Sequence, residues 1–328
     1  MKLKVHRSPN FNPANPKIWE GQTFDLDSGK GKTFIMRALL SGFDVSTAIK
    51  IGPFQLKQYE DAIYADLGSS KGKKCILELV FDDRAVSPPQ ETPVSMYVEP
   101  YWLFHSFFIA MQLLNDSWVG MGMVHYYSVP ENKLVGTYGS PATSTADDYW
   151  SSNKQPTVEN IDPDQLLELI AKQQGNTEMA IDRYSLALGS VMEDALIDFV
   201  IVLDGLLGYK THEELSHRIP VRGSMILAQD NNLRLNYYLT IKFLYDMRSR
   251  IVHGDTDDIF FPDNKHYNAI TSLGYSLSDK PWEYRYQIVD MTRKLTQQIL
   301  MFFILHPKNL DRDWLLNLDL GLVNLHGE

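Results

Sequence analysis

Hydrophobic and polar positions change their rhythm part-way along this chain. In the first half the apolar residues fall in short runs rich in β-branched and aromatic side chains: "KTFIMRALL" at Lys32–Leu40, "KCILELVF" at Lys74–Phe81 and "WVGMGMVHYYSV" at Trp118–Val129, the last weakened by glycines. Runs of this length bounded by Gly, Ser, Lys and Asp predict strands. A longer run, "YWLFHSFFIAMQLL" at Tyr101–Leu114, carries His105, Ser106 and Gln112. It is shorter than the roughly 20 residues that cross a bilayer and predicts a buried helix, with no membrane span. From about Gly136 to Pro163 apolar periodicity disappears into Ser, Thr, Pro, Asp and Asn, which puts a domain boundary near residue 155.

After that boundary the spacing becomes helical. Ser190 followed by Glu193 has the form of a capping box, opening a helix of about Val191 to Leu207 that Gly208 closes. Thr211 and Glu214 repeat the device, and Pro220 is expected to kink or restart the helix that follows. A further helix spans about Leu233 to His253 and stops at Gly254, and a long last one covers Trp282 to Leu305, before Pro307. The fold class is therefore α+β: a strand-rich N-terminal domain over residues 1–155, then an all-α helical bundle over 156–328.

Composition adds little until charge is mapped. The single cysteine, Cys75, excludes an intrachain disulfide and a four-cysteine zinc site. With no apolar core behind the early lysines of "MKLKVHRSPNFNP", a secretory signal is not expected, and a cytoplasmic location follows as the default. Net charge is −10, which argues against broad nucleic-acid binding. Yet Gly208 to His253 holds seven bases against four acids, a window of +3 that leaves −13 for the rest. Arg218, Arg222, Lys242 and Arg250 of this island are the candidate RNA contacts.

Two charges in the helices stand on apolar faces. At about 100° per residue, with Arg248 at zero, Ile241 falls near +20°, Leu244 near −40° and Val252 near +40°, while Arg250 lies near 200° and His253 near 140°. Asp204 is placed likewise among Ile197, Val200 and Leu207. Either charge buried alone would cost several kcal/mol, so Asp204 and Arg248 are expected to approach each other, directly or through water. Two readings stay open: an interhelical ion pair that sets register, or a polar pair supporting a phosphate site, since a guanidinium grips two phosphate oxygens at once.

Other motifs carry less. "SGKGKTF" at Ser28–Phe34 ends like a phosphate-binding loop, but Leu26 stands where its first glycine belongs. "GSSKG" at Gly68–Gly72 fits a serine-hydrolase elbow, yet a strand-like segment follows instead of a helix. "HGDTDD", beginning at His253, lacks the glycine and distant glutamate of a calcium loop, and His212 and His217 are poorly placed to share an ion, so no metal and no cofactor are expected. Tyr284, Tyr286, Phe302 and Phe303 are read as core or subunit surface.

The string "DFVIVLDGLLGYKTHEELSHRIPVRGSMIL", followed by "FLYDMRSRIVHG", resembles the HEPN superfamily and most closely its Apea-like branch. The likeness runs from about Ile181 to Gly254 and says little of residues 1–155. It implies a helical bundle that forms a homodimer, with the Arg-x4-His motifs of two copies lining one composite cleft. It further implies metal-independent endoribonuclease activity leaving 2′,3′-cyclic phosphate and 5′-OH ends, in a bacterial anti-phage defence or toxin-like effector. On that resemblance His253 is the general acid or base, since an imidazole exchanges protons close to neutral pH. Arg248 holds the phosphate, Asp204 orients Arg248, and Ser249 stands where relatives often carry Asn, Asp or His. The strand-rich domain, of unknown role, would then sense a trigger or bind a partner. The alternative is a noncatalytic HEPN module that dimerises and binds RNA, nucleotide or protein.

Overall fold

The computed structural model describes residues 2–4, 23–25, 33–41, 45, 47–52, 54–60, 74–82, 104, 107–114, 120–129, 133–138, 162–172, 175–209, 214–254 and 260–322. The motifs at Gly68–Gly72 and most of Ser28–Phe34, together with Thr211, His212 and Asp255–Asp258, lie outside them. The chain divides into two compact units, Met1–Lys172 and Gln173–Glu328. That division comes after residue 155, because helix α1 (Pro163–Lys172) clusters with the first unit.

The first unit holds a short antiparallel pair, β1 (Lys2–Lys4) with β2 (Thr23–Asp25), and an antiparallel six-stranded sheet. The sheet comprises β3 (Thr33–Ser41), β4 (Ile49–Ile51), β5 (Phe54–Gln58), β6 (Lys74–Asp82), β7 (Gly120–Ser128) and β8 (Lys133–Tyr138), in the order β4-β5-β6-β3-β7-β8. The three predicted strand runs are β3, β6 and β7. Side chains alternate across a strand, so Met36, Ala38 and Leu40 share a buried face with Cys75, Leu77 and Leu79. Phe54 joins that face and meets the rings of Phe104 and Phe107, at centroid distances of 5.4 and 4.8 Å. Residues 107–114 are helical and nearly all buried, as the run from Tyr101 predicts. On the opposite face Glu78 is 4% exposed, pinned between Arg37 at 2.9 Å and Lys57.

The second unit is helical. Helix α2 (Asn176–Gly189) packs on α3 (Met192–Leu207), α4 (Leu215–Leu227) on α5 (Asn231–Val252), and α6 (Asn264–Ser272) on α5. The long α7 (Pro281–Leu305) backs α2, α3 and α4, and α8 (Arg312–Asp319) lies against α4. Leu196, Phe199 and Leu203 of α3, Leu244 and Met247 of α5, and Ile288, Leu295 and Ile299 of α7 are all buried. Each contributes about 1.5–3 kcal/mol by leaving water. Of the aromatics assigned to core or surface on α7, Tyr284 and Phe303 are buried, while Phe302 packs against Trp314 of α8.

Three local expectations give way. Ser190 makes no capping box: its hydroxyl donates to the Leu186 carbonyl at 2.9 Å, finishing α2, while Glu193 faces Arg285 at 3.8 Å. Glu214 precedes α4 with φ 55° and no side-chain cap. Pro220 does not restart α4, which runs unbroken through it; the ring is buried, and packing of the surrounding turn outweighs the lost hydrogen bond. Mid-helix Gly223 has a packing reason: a Cβ there would lie 2.6 Å from Ile241 Cδ1, so any side chain would make the Ile241 tip move aside.

Candidate functional site

The candidate site is built from α3 and α5. Asp230 starts α5, its carboxylate accepting from the backbone N–H groups of Asn232 and Leu233 at 2.8 and 3.0 Å. The helix continues through Val252 and ends at Gly254 with φ +81°, a left-handed conformation that glycine adopts without strain. That stop is what places His253 at the helix cap. Its backbone N–H donates to the Ser249 carbonyl at 3.1 Å, and its side chain is exposed.

Arg248 and Asp204 lie within electrostatic reach of each other across α5 and α3. Asp204 is pushed up from 3.8 to about 6: burial raises it, and the Arg248 guanidinium lowers it by less than burial raises it. The two form no ion pair among the described residues. Asp204 Oδ1 and Arg248 Nε are both buried without a hydrogen-bond partner. Groups of this kind normally find partners, and an unmet one costs about 1–3 kcal/mol. The arrangement is thus a cation and a carboxylate held within electrostatic reach, each with a buried polar atom left without a partner.

Arg248 and Ser249 are half-buried and Arg250 is exposed. Because α5 stays helical to Val252, Arg248 and His253 point about 140° apart and some 7.5 Å along the axis, so one chain does not bring them together. The site also includes a residue that sequence reasoning missed. Tyr245, three positions before Arg248, lies within the electrostatic reach of both Asp204 and Arg248, and burial pushes its phenol above the ordinary value, with Asp204 adding to the rise. Its position near +60° on the wheel that placed Arg248 was the available signal.

The candidate RNA contacts separate. Arg222 is buried, 1% exposed, and donates from Nε and Nη2 to the two carboxylate oxygens of Asp319 at 2.7 Å each, while Nη1 donates to the Leu207 carbonyl at the end of α3. Its role is to join α3, α4 and α8, which corrects its assignment to an RNA surface: a buried guanidinium in a bidentate pair has no free edge for phosphate. Arg218 leans toward the same Asp319 at 3.4 Å and toward Glu214 at 3.8 Å. Lys242 pairs with Asp246 at 2.5 Å along α5. Beside Arg218 a cleft of about 190 Å³ is lined by His217, Val221, Leu316 and Leu320, on α4 and α8. No group of His, Cys, Asp or Glu able to hold a metal ion occurs among the described residues, and no helix there is long and apolar enough to cross a membrane.

No protein-family profile matches the chain, and no characterised protein or solved structure matches it.

Proposed function

We propose that this chain is a metal-independent HEPN-type endoribonuclease whose active site forms between two copies. The observation that carries the reading is Arg248: a half-buried guanidinium beside a carboxylate of raised pKa, with buried Nε left unbonded. A scissile phosphate would be gripped by the part of that side chain that reaches solvent. In the proposed reaction a ribose 2′-oxygen attacks the adjacent phosphorus and the bond from phosphorus to O5′ breaks. The products are a 2′,3′-cyclic phosphate and a 5′-OH. His253 of one copy takes the proton from the 2′-OH, water then protonating the leaving O5′, or delivers one to O5′ while water accepts the 2′-OH proton. Arg248 neutralises charge on the phosphate, and Asp204 orients Arg248. A second copy answers the divergence of Arg248 and His253 on one helix, because each arginine can work with the other copy's histidine.

The resemblance of "ELSHR" and "RSRIVHG" to HEPN proteins supports the same reading, together with a cytoplasmic role in defence against phage or as a toxin-like effector. The test is cleavage of end-labelled RNA in the presence of EDTA, with product ends analysed. Arg248→Ala and His253→Ala should each abolish cutting while leaving the thermal transition in place. Equal cleavage by both variants refutes the reading. RNA binding without cleavage by the wild type would instead favour the noncatalytic binding module, for which the half-buried Ser249, in place of a stronger polar group, speaks.

A further inference from the structure

At the C-terminal end of α5 the apolar stripe runs out of protein. Ile241 is 1% exposed, but Val252, about 20° from it on the wheel, is 54% exposed. Tyr245 lies between these regimes, half-buried, about 60° round from Arg248 and some 4.5 Å before it along the axis. Tyr245, Ser249 and His253 follow one another at intervals of four, a ladder that drifts only about 40° per step. One side of the helix end therefore presents, in order, an aromatic ring, a hydroxyl and an imidazole, flanked by Arg248 and Val252. No hydrogen bond of the tyrosine hydroxyl occurs among the described residues.

A flat, partly exposed ring within electrostatic reach of a half-buried guanidinium matches the repeating unit of a single nucleic-acid strand, in which a charged phosphate alternates with a flat base. We infer that Tyr245 is the base-contact residue of this site, its ring stacking on an unpaired nucleobase next to the phosphate held by Arg248. The inference rests on the ribonuclease reading and adds to it. Stacking needs an unpaired base, so the site should discriminate against duplex RNA by shape, and it should tolerate different bases because every base has a π-face.

The experiment uses the full-length protein carrying His253→Ala, which cannot cut, and a fluorescent single-stranded oligoribonucleotide whose binding is followed by anisotropy. Adding Tyr245→Leu, which keeps apolar bulk but removes the flat ring, should weaken binding about 5- to 100-fold. Tyr245→Phe and Tyr245→Trp should bind within about two-fold of the parent. In the cleaving background Tyr245→Leu should raise KM more than it lowers kcat. If Tyr245→Phe weakens binding as much as Tyr245→Leu, the hydroxyl and not the ring makes the contact, and the inference fails. If Tyr245→Leu binds like the parent while His253→Ala still stops cleavage by the wild-type chain, the inference fails and the ribonuclease reading stands. If the wild-type protein neither binds nor cuts the strand, both fall.

Discussion

Replacing Asp204 with asparagine removes a charge and little else, so it isolates what that charge does to the fold. In the folded chain the carboxyl holds its proton up to about pH 6, against 3.8 for the ordinary group. Folding therefore favours the protonated form. Stability is unaffected below about pH 4, falls as pH rises between the two values, and levels off above about 6.5. At about 1.4 kcal/mol per tenfold change in proton affinity, the full penalty at pH 8 is of order 3 kcal/mol, with about half of it present at pH 5. The attraction of Arg248 is already contained in that figure, since it opposes the rise caused by burial. Asp204→Asn should then be the more stable protein at pH 8, by about 1–3 kcal/mol or about 3–10 °C in the transition of the helical unit. The gap should close toward pH 4. Cleavage by the variant should fall at least ten-fold if the carboxylate orients Arg248, which would make the site one that trades stability for activity. Paired thermal melts of both proteins from pH 4 to pH 8 supply the measurement. A variant less stable than wild type at pH 8, or a difference that does not change with pH, would show that Asp204 is an ordinary stabilising partner of Arg248 and refute the reasoning.

Three further outcomes follow from the packing. Arg222→Ala should destabilise the helical unit by about 3–5 kcal/mol in urea titration, because it leaves Asp319 without its bidentate partner and the Leu207 carbonyl without its donor; a loss below 1 kcal/mol would mean the clamp is incidental. Gly254→Ala forces a side chain into φ +81° in open space, so only backbone strain opposes it, and a loss of about 1 kcal/mol is expected from thermal melts, with Gly254→Asn losing less. Glu78→Ala places Arg37 and Lys57 together without their shared, nearly buried carboxylate. It should lower the stability of the sheet unit by about 3 kcal/mol in denaturant melts, and added salt should recover part of that by screening the two cations.

Much of this was legible in one dimension. The strands β3, β6 and β7 and the helix faces on which Asp204 and Arg248 stand follow from periodicity, and the helix end at Gly254 from residue type, local properties that a window of some 10–20 residues contains. Capping went less well: Ser190 had the residue type for an N-cap but served the helix before it, because a hydroxyl bonds whichever backbone group the packed chain presents. Pro220 likewise followed its buried surroundings and not its own propensity.

The sequence by itself determined that a sheet-forming half precedes a helical half, and that an arginine and an aspartate stand on the apolar faces of their helices. Only the tertiary structure decided which charges are consumed. Arg222 looked as available as Arg248, yet Asp319, 97 positions away, takes it in a bidentate pair, while Arg248 keeps an unbonded nitrogen. The reason is physical: amphipathic spacing tells which face a side chain occupies, but the partner on the opposing face is chosen by how distant helices pack, and no local pattern records that choice.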